Sequence, residues 1–307
     1  SSIHQVVRQR TVHNAPITPV QVAALAITPD MLFQPQKPVA WGQAFGGASE
    51  RASDGAALAY DYDHVGFTLG YEWTMGETRV GLMGGLAWAK TETEQRSFET
   101  ESENYYLGIY GHFDLDILNV TTSLIGGYRE HENDRWVLDS LNGRELANSD
   151  VESLFISPSL TLSSTYTVIK NIELRPSASV AYSVAWMDNY QEKGSTHSNL
   201  AIDDRTIRAL EARIQLAGAY KLNQSSEIEL RIGGLTRHTN DDDTQANLAG
   251  RGFRFANVGD EDVSGGFTGA NLHFVQNNLS LMMDVEIGGM SGDEYYVKGQ
   301  LNLGYSF

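Results

Sequence analysis

Along most of the chain, apolar and polar residues alternate with a period of two. In the last segment Tyr295, Val297, Gly299, Leu301, Leu303, Tyr305 and Phe307 fall on one face, and Lys298, Gln300, Asn302, Gly304 and Ser306 on the other. The preceding segment sets Leu279, Leu281, Met283, Val285 and Ile287 against Ser280, Met282, Asp284, Glu286 and Gly288. Ile172, Leu174, Ala178, Val180, Tyr182 and Val184 likewise alternate with Glu173, Arg175, Ser177, Ser179 and Ser183. Alternation of this length is a strand signal, with one face on an apolar phase and the other on water. It predicts strands at 39–47, 64–75, 78–90, 103–114, 117–130, 151–166, 171–186, 205–222, 226–238, 263–275, 279–289 and 294–307, an even set of 12. The pattern is weakest in the first, where Gln43 falls on the apolar parity, and in the tenth, where Phe267 falls on the polar one.

Residues 1–38 read differently. They hold five of the seven prolines (Pro16, Pro19, Pro29, Pro35 and Pro38) and no strand alternation. Thr18–Pro19–Val20–Gln21 has the form of a helix start, with Thr as cap and Pro at the first helical position. The short apolar helix stops near Ile27, ahead of Pro29, and a second turn starts at Thr28–Pro29. The chain divides into a linker, 1–38, and a strand domain, 39–307.

The connections separate a membrane barrel from a soluble sandwich. After even strands they are tight, as at Met75–Gly76–Glu77 and Asp114–Leu115–Asp116. After odd strands they are often long and polar: Ala48 to Asp63, His131 to Asp150, Met187 to Asp204, Thr239 to Asp262. Outer-membrane barrels sort their loops in this way, with the short side periplasmic. Aromatic residues mark the same two levels. Tyr71, Trp73, Phe113, Tyr166, Tyr220, Phe274, Tyr305 and Phe307 end the even strands, and Trp88, Tyr128 and Trp186 lie near the ends of odd ones. Amphipathic rings favour the headgroup level. The expected fold is all-β: a 12-stranded antiparallel transmembrane β-barrel with a short helical or extended N-terminal segment in its lumen.

Composition alone points elsewhere. The chain is 41% hydrophobic and its mean hydropathy is −0.31. No run reaches the roughly 18–20 apolar residues of a membrane helix. A barrel gives the same average, because each strand spends alternate residues on lipid and water. The absence of Cys removes disulfides, thiol catalysis and Cys-based metal sites. A net charge of −17 argues against nucleic acid as a partner. Residue 1 is Ser with no signal peptide ahead, so the sequence reads as a mature fragment.

Val39–Ala40–Trp41–Gly42–Gln43–Ala44–Phe45–Gly46–Gly47, then Gly66–Phe67–Thr68–Leu69–Gly70–Tyr71 and Arg79–Val80–Gly81–Leu82–Met83–Gly84–Gly85, resemble the start of autotransporter (type V secretion) translocator domains. The terminal Leu303–Gly304–Tyr305–Ser306–Phe307 resembles their last strand. The resemblance covers about residues 39–307. It implies a monomeric, cofactor-free barrel in the outer membrane of a Gram-negative bacterium, anchoring and exporting its own N-terminal passenger past a helical linker in the pore. It implies as further partners the bilayer with its lipopolysaccharide, and the barrel assembly machinery, which reads Tyr305 and Phe307. The pre-barrel segment is broken by prolines where the family often has one helix. Self-cleavage near Asn14 follows only from family analogy. Twelve strands leave room for roughly one helix 10–12 Å across.

The lumen parity gathers charge: Glu72, Arg79, Glu173, Arg175, Glu211, Arg213, Glu227, Glu229, Arg231, Asp284, Glu286 and Lys298. Glu–x–Arg recurs at 173/175, 211/213 and 229/231. The simpler reading is a solvated wall with cross-strand ion pairs. The functional one is a track that orients a resident or passing segment, and residues 1–38 complement it with Arg8, Arg10 and Lys37 against one acid, Asp30. The small residues Gly42, Ala44 and Gly46 are expected to face the same segment. A lumen position such as 286 is expected to tolerate a change of charge far better than lipid-facing Val285. The eight His show no metal-ligand spacing, and Asp241–Asp242–Asp243 reads as a solvated loop run. No Gly-flanked Ser elbow supports a hydrolase, and the chain is expected not to be an enzyme. The alternatives are a stand-alone outer-membrane channel or porin, and a barrel enzyme with Ser and His at one rim.

Overall fold

The computed structural model describes residues 38–53, 59–76, 78–93, 97–139, 143–241, 244–248, 251–255 and 261–307. Residues 1–37, and with them the expected lumen helix and Asn14, lie outside the described residues, as do Asp242 and Asp243. In chain order the strands are β1 (Val39–Arg51), β2 (Tyr60–Met75), β3 (Thr78–Thr93), β4 (Phe98–Leu115), β5 (Leu118–Asp139), β6 (Gly143–Ser163), β7 (Tyr166–Ile169), β8 (Ile172–Met187), β9 (Tyr190–Gln191), β10 (Leu200–Ile202), β11 (Arg205–Asn223), β12 (Ser226–Asp241), β13 (Thr244–Leu248), β14 (Arg251–Phe255), β15 (Glu261–Gln276), β16 (Leu279–Met290) and β17 (Glu294–Ser306). No helix among the described residues is long and apolar enough to cross a membrane.

Twelve of these strands close into one antiparallel barrel in the order β1–β2–β3–β4–β5–β6–β8–β11–β12–β15–β16–β17, and β17 pairs back along all 13 residues of β1. The short β7 pairs with β8 beyond the end of β6. A row of paired residues gives the stagger. From Thr74 on β2 it runs through Arg79, His112, Thr121, Thr161, Ser179, Arg213, Leu235, Gly265, Met290, Glu294 and Arg51, and returns to β2 at Tyr60. The row comes back 74 − 60 = 14 residues from where it began, a shear of 14. At a rise of ~3.3 Å and a spacing of ~4.8 Å, 12 strands of that shear tilt by about 40° around a backbone radius of about 12 Å. With side chains lining it, the lumen is about as wide as one α-helix.

Outside this wall the apolar parity is exposed: Leu69, Leu107, Ile214, Leu230, Ile232, Val285 and Leu303 are all more than half accessible. Aromatic residues bound the band. On β17, Tyr305 and Tyr295 lie ten residues apart, about 25 Å along the axis at this rise and tilt, the height of an outer-membrane apolar girdle. Above Tyr105 and Tyr128 the outward face turns acidic. Glu103, Glu130 and Glu152 form one cross-strand row, and Glu101, Glu132 and Asp150 the next. Like charges directly opposed tend to separate strands, so this surface belongs in water and marks the lipid boundary. Partial burial, with Glu99 and Glu101 beside it, pushes the Asp134 carboxyl above the ordinary carboxylate range.

Two expectations need correction. The first concerns β1. Trp41, Gln43 and Phe45 face inward, with Gln43 and Phe45 each 3% exposed, whereas Ala44 is exposed outward and Gly42 abuts Leu69. Gly42, Ala44 and Gly46 therefore do not line the lumen. Size is no guide to parity here, because the lumen takes large rings in a particular way. Trp41 lies on Gly70, Phe45 on Gly66, Tyr106 on Gly85, Tyr110 on Gly81, Phe155 on Gly127, Phe267 on Gly233 and Tyr296 on Gly288, each pair being direct register partners. A Cβ on any of these glycines would come within 2.2–2.6 Å of the ring or its hydroxyl. Glycine lets each ring lie flat on the wall instead of projecting across the lumen. The apparent anomaly at Phe267 is one such pair.

The second correction concerns the long loops, which are largely folded. β5 and β6 extend the predicted strands into a hairpin that continues to Asp139 and Gly143. The loops after β8 and β12 build a second sheet in the order β14–β13–β10–β9, with Leu200, Ile202 and Ala246 buried.

The flat rings make a paired test. Gly127→Ala places a methyl 2.4 Å from the Tyr105 carbonyl oxygen and 2.6 Å from the Phe155 ring, whereas Gly126→Ala meets only the Phe155 carbonyl oxygen at 3.6 Å. Unfolding in detergent should show the first change costing about 1–3 kcal/mol, with the second near neutral.

Candidate functional site

The lumen has two unlike walls. On β1 to β6 it is aromatic and hydroxylic. Phe45, Met83, Tyr106, Ile125 and Phe155 form a buried cluster against Trp41 and Tyr110. The polar tips of the rings are satisfied. Trp41 Nε1 donates to Tyr110 Oη at 2.8 Å, Tyr110 donates to Glu72 Oε2 at 3.0 Å, and Tyr106 Oη shares a hydrogen bond with Thr68 at 2.7 Å. Arg79 stands 3.8 Å from Glu72.

The wall from β8 to β17 is ionic. Arg175 on β8 reaches past Ala217 of β11 to Glu227 (2.6 and 2.9 Å) and Glu229 (3.0 Å) of β12, and bonds Glu173 at 2.7 Å. Lys221 holds the other oxygen of Glu173. Arg231 on β12 lies across Gly269 of β15 to Asp284 (2.8 Å) and Glu286 (3.3 Å) of β16. Arg213 on β11 spans further, over the Phe267 ring at 4.2 Å, to both oxygens of Glu286 at 2.9 and 2.8 Å. Tyr296 donates to Glu286 at 3.0 Å, Lys298 lies 3.9 Å away, and Glu211 is 4.0 Å from Arg213. The bonds from Arg175 to β12, from Arg231 to β16 and from Arg213 to β16 skip one or two strands, so they brace the wall between strands that share no backbone ladder.

All twelve charged residues expected to face the lumen are thus placed on its wall. Ten gather on the β8–β17 side, while Glu72 and Arg79 sit opposite. Two of the Glu–x–Arg repeats meet internally, Glu173 with Arg175 and Glu211 with Arg213, and the lattice extends beyond them: Glu229 pairs with Arg175, and Arg231 with Asp284. Buried carboxylates cost several kcal/mol each unless paired, and here the neighbouring guanidinium and ammonium groups neutralise them. The wall is an ionic lattice in which the acids already have partners on the wall itself, and Arg8, Arg10 and Lys37 lie outside the described residues. Asp241 is also no solvated loop residue: it is 5% exposed and bonded to Arg205 at 3.2 Å.

Sequence reasoning missed Lys221 and the rings over glycine. Lumen parity would have found Lys221; the rings needed the register. It also could not pair a hydroxyl with an imidazole. The structure places two histidines in such cross-strand ties, His112 with Thr121 at 2.8 Å, and His131 with Ser102 at 2.8 Å and Ser153 at 3.3 Å. Among the described residues no group of three or more His, Asp or Glu is arranged to hold a metal. At the terminus, Tyr305 and Phe307 point outward with rings 5.2 Å apart, and Phe307 N donates to Pro38 O at 3.1 Å.

A family model described as the autotransporter beta-domain matches residues 40–286. Among curated proteins, outer membrane protein A of Rickettsia conorii is 23% identical over 196 residues, which cover 60% of this chain and 10% of that protein. The protein of the same name from Rickettsia rickettsii is also 23% identical over 196 residues, 60% of this chain and 9% of its own. The chain thus spans about a tenth of the length of these relatives. Among solved structures, the translocator domain of NalP from Neisseria meningitidis superposes with a TM-score of 0.74 at 15% identity, covering 94% of each chain. The β-domain of Bordetella BrkA gives 0.65 at 14% identity, over 88% of this chain and 100% of its own. The toluene transporter TodX of Pseudomonas putida gives 0.52 at 12% identity, over 92% and 93%. At these identities the structures share the fold.

The lattice changes what position 286 should tolerate. Val285→Arg faces lipid and should cost roughly 2–4 kcal/mol. Glu286→Arg would set a fourth cation among Arg213, Arg231 and Lys298, and should cost as much or more, about 3–5 kcal/mol for a broken buried pair. Unfolding of both variants in lipid or detergent measures this; a neutral Glu286→Arg would mean the lattice carries no stability.

Proposed function

The chain belongs to the autotransporter β-domain family, and on that footing we propose that its barrel anchors an N-terminal passenger and gives it a route to the cell surface. The barrel resides in the outer membrane of a Gram-negative bacterium. The observation that carries the reading is the shear of 14 over 12 strands, which sets a lumen about one helix wide. Rings laid flat on glycine keep that width clear, and an ion-paired lattice leaves no unpaired carboxylate row to trap a passing chain. We read residues 1–38 as the segment that occupies the lumen in the resting state. With the acids of the wall already paired, its hold there rests on fit against the aromatic wall more than on charge. Tyr305 and Phe307 are read as the signal recognised by the assembly machinery, and lipopolysaccharide as the outer-leaflet partner. The second reading, a stand-alone channel, draws on the fold shared with TodX.

Conductance distinguishes the two. In planar bilayers, a chain lacking residues 1–37 should conduct several times more than the intact chain; equal conductance would favour the stand-alone channel. Added salt should open the intact chain little, because it screens charge but not apolar fit.

Deletion of Phe307 tests the terminal signal. It should lower the amount of barrel reaching the outer membrane, while protein that does assemble should unfold at nearly the same temperature. Normal assembly at low expression would remove the role given to this ring.

A further inference from the structure

The loop between β8 and β11 is folded more firmly than passive cover requires. From Tyr190 to Leu200 it runs as a strap along the β5–β6 hairpin, on the face that continues the lumen wall. Arg135 and Val137 have the same parity as lumen-facing Arg129 and His131, and are each 1% exposed. Arg135 bonds both carboxylate oxygens of Glu192, at 3.0 and 2.6 Å, and the side chains of this pair are 1% exposed on each side. The same arginine donates to Ser198 O at 2.7 Å, and Glu192 accepts from Leu200 N at 2.8 Å. Asn148 and Lys193 exchange backbone hydrogen bonds of 2.8 and 2.9 Å, and Thr196 bonds Glu145 through both its N–H and its hydroxyl. The strap is joined to the other long loop as well. β10 pairs with β13, and Arg205 and Asp241, at the roots of the two loops, form a second buried ion pair.

We propose that this strap is an extracellular gate, latched shut by Arg135 and Glu192, which a passenger displaces on leaving the lumen and which closes behind it. The proposal rests on the export reading. The strap lies on the lumen-side face of a hairpin standing above the upper aromatic belt, so it occupies the path of a chain emerging along that wall. A buried, doubly bonded ion pair suits a latch. It holds one geometry when dry, and each partner regains its hydration once the strap lifts, so the open form leaves no orphaned charge. The strap also carries its own turn, in which Asn199 Oδ1 accepts from Ser195 N and Oγ and Asn199 Nδ2 donates to Ser195 O. It can therefore move as a body, without being rebuilt at each closure.

The test uses the full chain with a reporter passenger fused ahead of Ser1 and Asn148→Cys and Lys193→Cys introduced. The native chain has no cysteine, so the only disulfide formed reports the seated strap. Passengers with and without a tightly folded module that stalls transit are compared in cells, with mild oxidant added outside. Protease digestion of the exposed part of the passenger confirms independently that the stalled chain spans the barrel. Disulfide should form readily after complete export and fall at least about five-fold in the stalled state. In fully exported protein, Glu192→Gln should lower it as well, and Arg135→Met with Glu192→Met, an apolar pair of similar volume, should restore it. Equal disulfide yield in stalled and exported barrels would overturn the gate. A stalled passenger with no part outside would overturn the export reading on which the gate rests.

Discussion

Everything in this molecule depends on closing the sheet. A strand in hydrocarbon has no water for its N–H and C=O groups, and each group left unpaired costs several kcal/mol, so a spanning sheet must have no edge. The 13 residues of β1 meet that demand on both sides, pairing with β2 and with β17. Closure in that register fixes the shear at 14, and shear and strand number together fix tilt, radius and lumen. The lumen is thus a consequence of backbone pairing; the side chains decide what may use it.

Their first task is to stay out of the way. Rings on β1, β4, β6, β15 and β17 would fill a tube of this radius if they pointed to its axis. Each is instead opposed by glycine on the adjacent strand, which lets the ring cover the wall and bury its area there. On the other side, long cationic chains do the same job by lying across Ala217, Gly269 and Phe267 to reach acids two or three strands away. The two walls solve one problem with different chemistry. Both keep bulky groups tangential, and both leave the polar atoms named here bonded to protein.

Much of this could be read from the sequence. The period of two at Tyr295–Phe307 and Leu279–Ile287 located strands and faces, and loop lengths gave the orientation. Glu173, Arg175, Arg213, Arg231, Asp284 and Glu286 were legible as lumen residues because charge on a transmembrane strand has one affordable side. β1 was misread for the converse reason. Trp41 and Phe45 look like lipid residues, and only the register that sets them against Gly70 and Gly66 explains why they turn inward. Pairing within the ionic lattice was out of reach, because its bonds skip strands and so depend on curvature and shear. The extracellular sheet was hidden too. Tyr190–Gln191 and Leu200–Ile202 are too short for alternation to show, and what secures them is a set of distant contacts, among them Glu192 with Arg135 and β10 with β13.

The central claim is that a passenger crosses through this lumen, with the inward parity as its wall. Site-specific photo-crosslinking during export tests it most directly, with a probe at inward Ser179 or at the adjacent, outward Val180 in otherwise identical chains. The account predicts adducts to passenger residues from position 179 while transit is under way, and adducts to lipid alone from position 180. Passenger adducts of equal yield from both positions, or none from 179 in a barrel that exports normally, would contradict it.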